Sequence, residues 1–361
     1  MQASISERYS RQLLLSEVGK DGQEKLNAAR VLVIGAGGLG CPILQYLAGA
    51  GIGTIGIIDH DVVSISNLHR QILYGSSTIG QNKALAAKAR LTDLNPDIQI
   101  NAYPEQLDTK NALSLFEQYD IIVDGSDNFT TRYLVNDACI ITGKPLVYGA
   151  IYKFKGQVAV FNYKHGPSYR CLFPQPPSPG DAPSCSEIGV IGVLPGIIGT
   201  LQANEAIKII LGVGDVLSGK LYLFDTLSMQ ANTITISKNQ SQIDQVLATK
   251  ESFITYDYAV FCGINPNLKE ITFDEAIQLP EATFIDVRQP EEQPKIDALH
   301  PLYIPLNQLD NQASTIDASK PIVCFCQSGI RSKKAAALLM SLGFENVYSL
   351  KQGAPLLKQV L

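Results

Sequence analysis

Between residues 30 and 160 the chain alternates short β-branched runs with longer polar–apolar stretches, and this alternation restricts the possible folds more than any other feature. RVLVIG at 30–35, TIGIID at 54–59, DIQINAY at 97–103, DIIVDG at 120–125 and KPLVYGAI at 144–151 have the length and composition of strands, with helical patterning between several of them. Parallel strands joined by crossover helices must be covered on both faces, so the expected class is α/β with a Rossmann-like, doubly wound sheet. GQVAVFNY at 156–163 and KLYLFDTLSMQANTITI at 220–236 read as later antiparallel strands that extend this sheet, with an apolar helix over 195–212 between them.

At 361 residues the chain exceeds what one core usually organises, and a second domain is expected. The first domain is assigned to 1–236, a polar linker to 237–267 and a smaller α/β domain to 268–361. In the last, EATFIDVR, PLYIPLNQL, KPIVCFC and ENVYSL read as strands. Residues 172–189, LFPQPPSPGDAPSCSEIG, contain five prolines and form a long loop. A net charge of −5 without a polybasic patch argues against nucleic acid as a partner. No apolar run reaches the ~18 residues of a membrane span. The opening MQASISERYSRQ lacks the regions of a secretion signal, so the cytoplasm is the expected compartment. The seven cysteines are therefore expected as thiols, and the four histidines show no metal-ligand spacing.

VLVIGAGGLG places Gly35, Gly37 and Gly40 as G-x-G-x-x-G between a strand and a helix start, where bare backbone and free N–H groups receive phosphate. Asp59, ending the second strand, is spaced to accept from ribose hydroxyls. To this point an NAD(P) site fits as well as any. The next segment adds Asp61, Asn67, Arg70 and Gln71, and Lys83 opens a further helix. Taken singly, Arg70 or Lys83 reads as a solvated surface charge. Their density beside the glycine loop favours a reaction in which charge develops on a triphosphate. Asp127, in DGSDN at the carboxyl edge of the fourth strand, has the hard oxygen chemistry of a Mg²⁺ ligand.

RYSRQLLL, VLVIGAGGLGCP, IIDHDVVSISNLHRQ, IGQNKA and DGSDNFTTRYLVNDAC together resemble the molybdopterin-synthase adenylyltransferase, ThiF and HesA group, relatives of the ubiquitin-activating enzymes, from about residue 7 to about 236. The resemblance implies adenylation of the C-terminal Gly-Gly of a ubiquitin-like sulfur-carrier protein by a homodimer, using ATP and Mg²⁺. It also implies that Asp59 binds ribose, that Asn67, Arg70, Gln71 and Lys83 contact phosphates, that Asp127 binds Mg²⁺, and that Arg11 reaches into the partner subunit's site. Relatives commonly carry zinc on two C-x-x-C pairs. Here SYRC has Ser168 in place of a cysteine, and no C-x-x-C occurs in the chain, so no zinc is expected. Cys185 stands where the group has a cysteine that joins the activated carrier; the competing reading is a packed apolar thiol.

FIDVRQPEE and CQSGIRS resemble rhodanese domains over roughly 268–361. The loop Cys326, Gln327, Ser328, Gly329, Ile330 and Arg331 is expected to curl around the Cys326 sulfur, with a helix opening at Ser332. Backbone N–H groups aimed at the sulfur favour its anion, a two-unit fall in thiol pKa being worth ~2.7 kcal/mol, and would hold a persulfide in the same way. Asp286 is read as structural and Cys324 as core. Against the family, a His-Ile-Pro-Gly-Ala run is missing and KQG replaces a Gly-Gly pair. A fold without activity is the competing reading of this domain.

The combined expectation is an ATP-dependent adenylyltransferase fused to its sulfurtransferase. Its persulfide would be charged by a donor such as a cysteine desulfurase, and its carrier would be the small subunit of molybdopterin synthase or the thiamine sulfur carrier. The alternatives are an NAD(P)-dependent oxidoreductase with an accessory domain and a non-catalytic carrier-binding module.

Overall fold

A computed structural model describes residues 7–177, 189–263 and 268–360 of the chain, which divides into two compact units after Tyr256. In the first unit eight strands form one sheet: β1 Arg30–Ile34, β2 Thr54–Ile58, β3 Gln99–Tyr103, β4 Ile121–Asp124, β5 Leu146–Tyr152, β6 Lys155–Phe161, β7 Lys220–Asp225 and β8 Gln230–Thr235. Their order is β3-β2-β1-β4-β5-β6-β7-β8, parallel as far as β5 and antiparallel beyond. The β-branched runs occupy the centre, with Val31 paired to Ile55 on one side and Ile121 on the other. Val31, Leu32 and Val33 are fully buried because helices cover both faces of a parallel sheet.

The helices follow their capping signals. Helix α1, Gly40–Ala50, ends at Gly51 in the left-handed region (φ 83°). Helix α2, Lys83–Leu94, starts where the Asn82 side chain accepts from Leu85 N, and α3, Phe129–Thr142, where Asn128 accepts from Thr131 N. Helix α4, Val193–Leu211, stops at Gly212. The order of strands reverses at β1, between β2 and β4, so the carboxyl ends of β1 and β4 open a crevice there. Gly125 N donates to Ile34 O across it at 2.8 Å.

The expected linker 237–267 needs correction. Helix α5, Gln240–Ala248, buries Ile243 and Val246 against Ile140, with Cys171 packed alongside, and the first unit continues to Tyr256. The polar residues of this stretch are the solvent face of an amphipathic helix.

The second unit is a five-stranded sheet of β9 Lys269–Ile271, β10 Thr283–Asp286, β11 Leu302–Tyr303, β12 Ile322–Phe325 and β13 Val347–Leu350, in the order β11-β10-β12-β13-β9 and parallel throughout. The strand expected over 301–309 shrinks to two residues, and β9 was not anticipated. Helix α6, Ile330–Ser341, opens two residues before Ser332, with Gly329 at φ 88° making the turn from β12. Cys324 and Cys326 both lie in the core, together with Ile285, Val347 and Leu339.

Candidate functional site

At the end of β1 the chain turns at Gly35, φ 84°, and enters α1. A Cβ on Gly40 would lie 2.0 Å from the Gly35 carbonyl oxygen, so the glycine is required for the turn to close on the helix. A Cβ on Gly37 would meet Gln71 Nε2 only at 3.6 Å, and one on Gly38 would stand 3.8 Å from Arg70 Cδ. Arg70 and Gln71 therefore lie over the glycine turn, as the sequence motif implies. Tyr74 fastens the arrangement: its hydroxyl is 2.8 Å from the Ala36 carbonyl and 3.1 Å from that of Lys83, sharing one proton between them. Nothing in the local sequence marked Tyr74 for this task.

Asp59 ends in the same crevice. Its Oδ2 accepts from Ala36 N and its Oδ1 from Asp61 N, each at 2.8 Å, while burial pushes the carboxyl above its ordinary range. Lys83 is 6% exposed and donates to Asp61 Oδ2 at 2.8 Å. That excludes the surface-charge reading for Lys83, since a buried ammonium needs a partner. Asn67 spends its carboxamide oxygen on Ser64 N, and Arg70 places one nitrogen 3.0 Å from the Ser66 carbonyl. Gln71 is buried, and its Oε1 has no hydrogen-bond partner.

Asp127 is exposed on the turn between β4 and α3. Among the described residues Asp59, His60 and Asp61 bring their ligand atoms within 4.8 Å of one another, but Asp61 is engaged by Lys83 and Asp127 lies outside the group. Arg11 is exposed on the short helix Ser10–Leu13, and no contact joins it to the glycine turn of its own chain. Cys185 lies outside the described residues. Cys41, beside the glycine turn, is pushed up to about 12 by burial and packs as an inert thiol.

In the SYRC stretch, Cys171 Sγ accepts from Ser168 N and from Asn239 N, each at 3.3 Å. The sulfur anchors the segment leading into α5.

In the second unit, Cys326 Sγ accepts from Gly329 N at 3.2 Å and lies 3.8 Å from the Ser332 hydroxyl, which in turn is 2.9 Å from that of Ser349. The sulfur is fully buried under its loop. Arg288, 3% exposed, reaches Asp286 Oδ2 at 2.7 Å and Gln327 Oε1 at 3.0 Å, and Arg331 pairs with Glu292, one of its nitrogens 2.7 Å from Oε2. Thus the segment 286–292 grips the cysteine loop at Gln327 and at Arg331. Asp286 is structural, as expected, whereas Arg288 and Glu292 were not singled out from sequence.

Residues 9–245 match the ThiF family and residues 271–358 the rhodanese-like domain. The sulfur carrier protein adenylyltransferase of Thermus thermophilus is 50% identical over 264 residues, covering 72% of this chain and 97% of that protein. The adenylyltransferase and sulfurtransferase MOCS3 of Xenopus laevis is 40% identical over 364 residues, 95% of this chain and 80% of its own length. Among solved structures, Escherichia coli MccB with ATP superposes with a TM-score of 0.57 at 23% identity, covering 64% of this chain and 72% of that one, a likeness of fold. The chain belongs to the ThiF family and carries a rhodanese-like domain joined to the carboxyl-terminal side of its ThiF unit.

Proposed function

We propose that the protein adenylates the C-terminal carboxylate of a ubiquitin-like sulfur-carrier protein with ATP and then converts it to a thiocarboxylate with sulfur from Cys326. The observation that carries this reading is the glycine turn overlaid by Arg70 and Gln71, with buried Lys83 tied to it through Tyr74. An NAD(P) site gives these cations no task. A triphosphate does, because attack on the α-phosphorus places charge on the departing pyrophosphate, which fixed cations in a water-poor site stabilise.

In the first step a carboxylate oxygen of the carrier bonds to the α-phosphorus and pyrophosphate leaves, forming an acyl adenylate. Asp59 accepts from the ribose, Asn67 and Gln71 donate to the phosphates, and Lys83 exchanges Asp61 for a phosphate oxygen. The exposed Asp127 carboxylate is the residue that would hold Mg²⁺, which when bound neutralises phosphate charge. Arg11, exposed and outside its own chain's site, supports a homodimer in which each subunit completes the other.

In the second step the terminal sulfur of a Cys326 persulfide attacks the acyl carbon and AMP leaves. A thiol then bonds to Cys326 Sγ, and the thiocarboxylate departs with the outer sulfur; Cys185 is the candidate thiol from sequence. Reduction of the disulfide so formed by external thiols frees both cysteine sulfurs, and a persulfide donor such as a cysteine desulfurase then recharges Cys326. Covalent joining of the two domains raises the effective concentration of the second reagent. The test is carrier-dependent ATP–pyrophosphate exchange with the molybdopterin-synthase small subunit and the thiamine sulfur carrier. Exchange with neither would overturn the reading.

A further inference from the structure

Three buried polar atoms of one strand–turn–helix segment have no hydrogen-bond partner: Asp124 Oδ2, Ser126 Oγ and Arg132 Nε. Buried polar atoms are paired in the great majority of cases, so three within nine residues of chain mark a place built for something else. Asp124 ends β4 and is 1% exposed; Ser126 follows on the turn at 8%; Arg132 stands one turn into α3. Helical side chains lean toward the helix start, which carries Arg132 back over this turn.

The buried carboxylate of Asp124 and the exposed one of Asp127 favour the charged form of Arg132 through space, but among the described residues neither is hydrogen-bonded to it. The Arg132 guanidinium lies 5.5 Å from the ring centroid of Phe129 and 5.7 Å from that of Tyr148, and one nitrogen makes a long contact of 3.5 Å with the Ser126 carbonyl. Arg170, by comparison, is bound by Asp137 through two hydrogen bonds of 2.7 Å. No carboxylate engages Arg132 in that way among the described residues. Aromatic faces fix a guanidinium's plane while leaving its N–H edge open.

The reaction needs such a cation. A carboxylate must approach a triphosphate, and the two anions repel. Lys83 is engaged by Asp61 and Arg70 lies over the glycine turn, so both belong to the phosphate side. We infer that Arg132 binds the C-terminal carboxylate of the carrier and aligns it for attack, with Ser126 as an additional donor; the inference rests on the adenylation reading above. A planar guanidinium matches a carboxylate with two parallel hydrogen bonds, and an amide or ester terminus would forfeit both the charge and the fit.

The test is pyrophosphate exchange with whichever of the two carriers supports it in the unaltered protein. In Arg132→Gln the KM for the carrier should rise about tenfold to a hundredfold while the KM for ATP stays within about twofold, as fits loss of a charge-assisted contact to one substrate. Arg132→Lys should fall between the two, and Ser126→Ala should act in the same direction but more weakly. An unchanged carrier KM, or equal rises for carrier and ATP, would overturn the assignment while leaving adenylation standing. No exchange by the unaltered protein would overturn both. Melting temperature and ATP binding of Arg132→Gln guard against misfolding: loss of ATP binding with a lowered melting point would make Arg132 a structural support and also overturn the assignment.

Discussion

Lys83 shows how a single side chain can be bound for stability and poised for chemistry at once. Its ammonium is nearly inaccessible, yet its partner Asp61 is 55% exposed and can be hydrated when the pair opens. Lys83→Met should therefore leave the fold intact and lower pyrophosphate exchange by about 10²–10³-fold, the scale of removing one donor from developing charge; melting curves and exchange rates check both parts. In the second unit, the hydrogen-bonded pair with Arg331 holds Glu292 below the usual carboxylate range. Glu292 thus gives up its proton more readily folded than unfolded, and the stability it contributes is present at neutral pH and lost as pH falls through its folded pKa. Glu292→Gln should cost about 1 kcal/mol at pH 7, and progressively less as pH falls below the ordinary carboxylate range and the native carboxyl takes up its proton, read from denaturation over a series of pH values. Both partnerships join residues far apart in the chain, Asp61 with Lys83 and Glu292 with Arg331. Sequence inspection marked Lys83 and Arg331 but gave no signal for which acids they meet.

The elements of the first unit were legible because their causes are local. β-Branched runs make strands, and Asn caps followed by Gly stops bound α3. The glycine turn is equally local, and its glycines are not equivalent. Gly40→Ala drives a Cβ into the Gly35 carbonyl at 2.0 Å and should cost about 1–3 kcal/mol, seen as a lowered melting temperature together with lost exchange. Gly37→Ala meets only the tip of Gln71 at 3.6 Å; it should melt like the unaltered protein and yet raise the KM for ATP, because the added methyl points where phosphate would lie. Equal melting temperatures for the two variants would contradict this distinction. Helix α5 was missed for a physical reason: an amphipathic helix whose polar face is long looks like a linker until its short apolar stripe, here Ile243 and Val246, finds a surface.

At the scale of the molecule, that helix sets where the first unit ends. A chain cut after residue 236 would lose the cover over Ile140 and Cys171 and should be destabilised by roughly 3 kcal/mol or more, from two buried aliphatic side chains. A cut after 256 should keep the stability of the whole first unit, and comparison of the two truncations by denaturant melts decides between them. Cys326→Ala in the full chain should abolish thiocarboxylate formation and leave pyrophosphate exchange unchanged, since the exchange chemistry uses no residue of the second unit.

Most of the strands, the glycine turn and the cysteine loop follow from residues adjacent in the chain, because periodicity, capping and backbone freedom act over a few positions. Packing alone decided that Lys83 is buried against Asp61, that the supposed linker is a helix of the first unit, and that Arg132 lies against the rings of Phe129 and Tyr148. Each of these depends on which distant side chains share a space, and no spacing within the sequence encodes that.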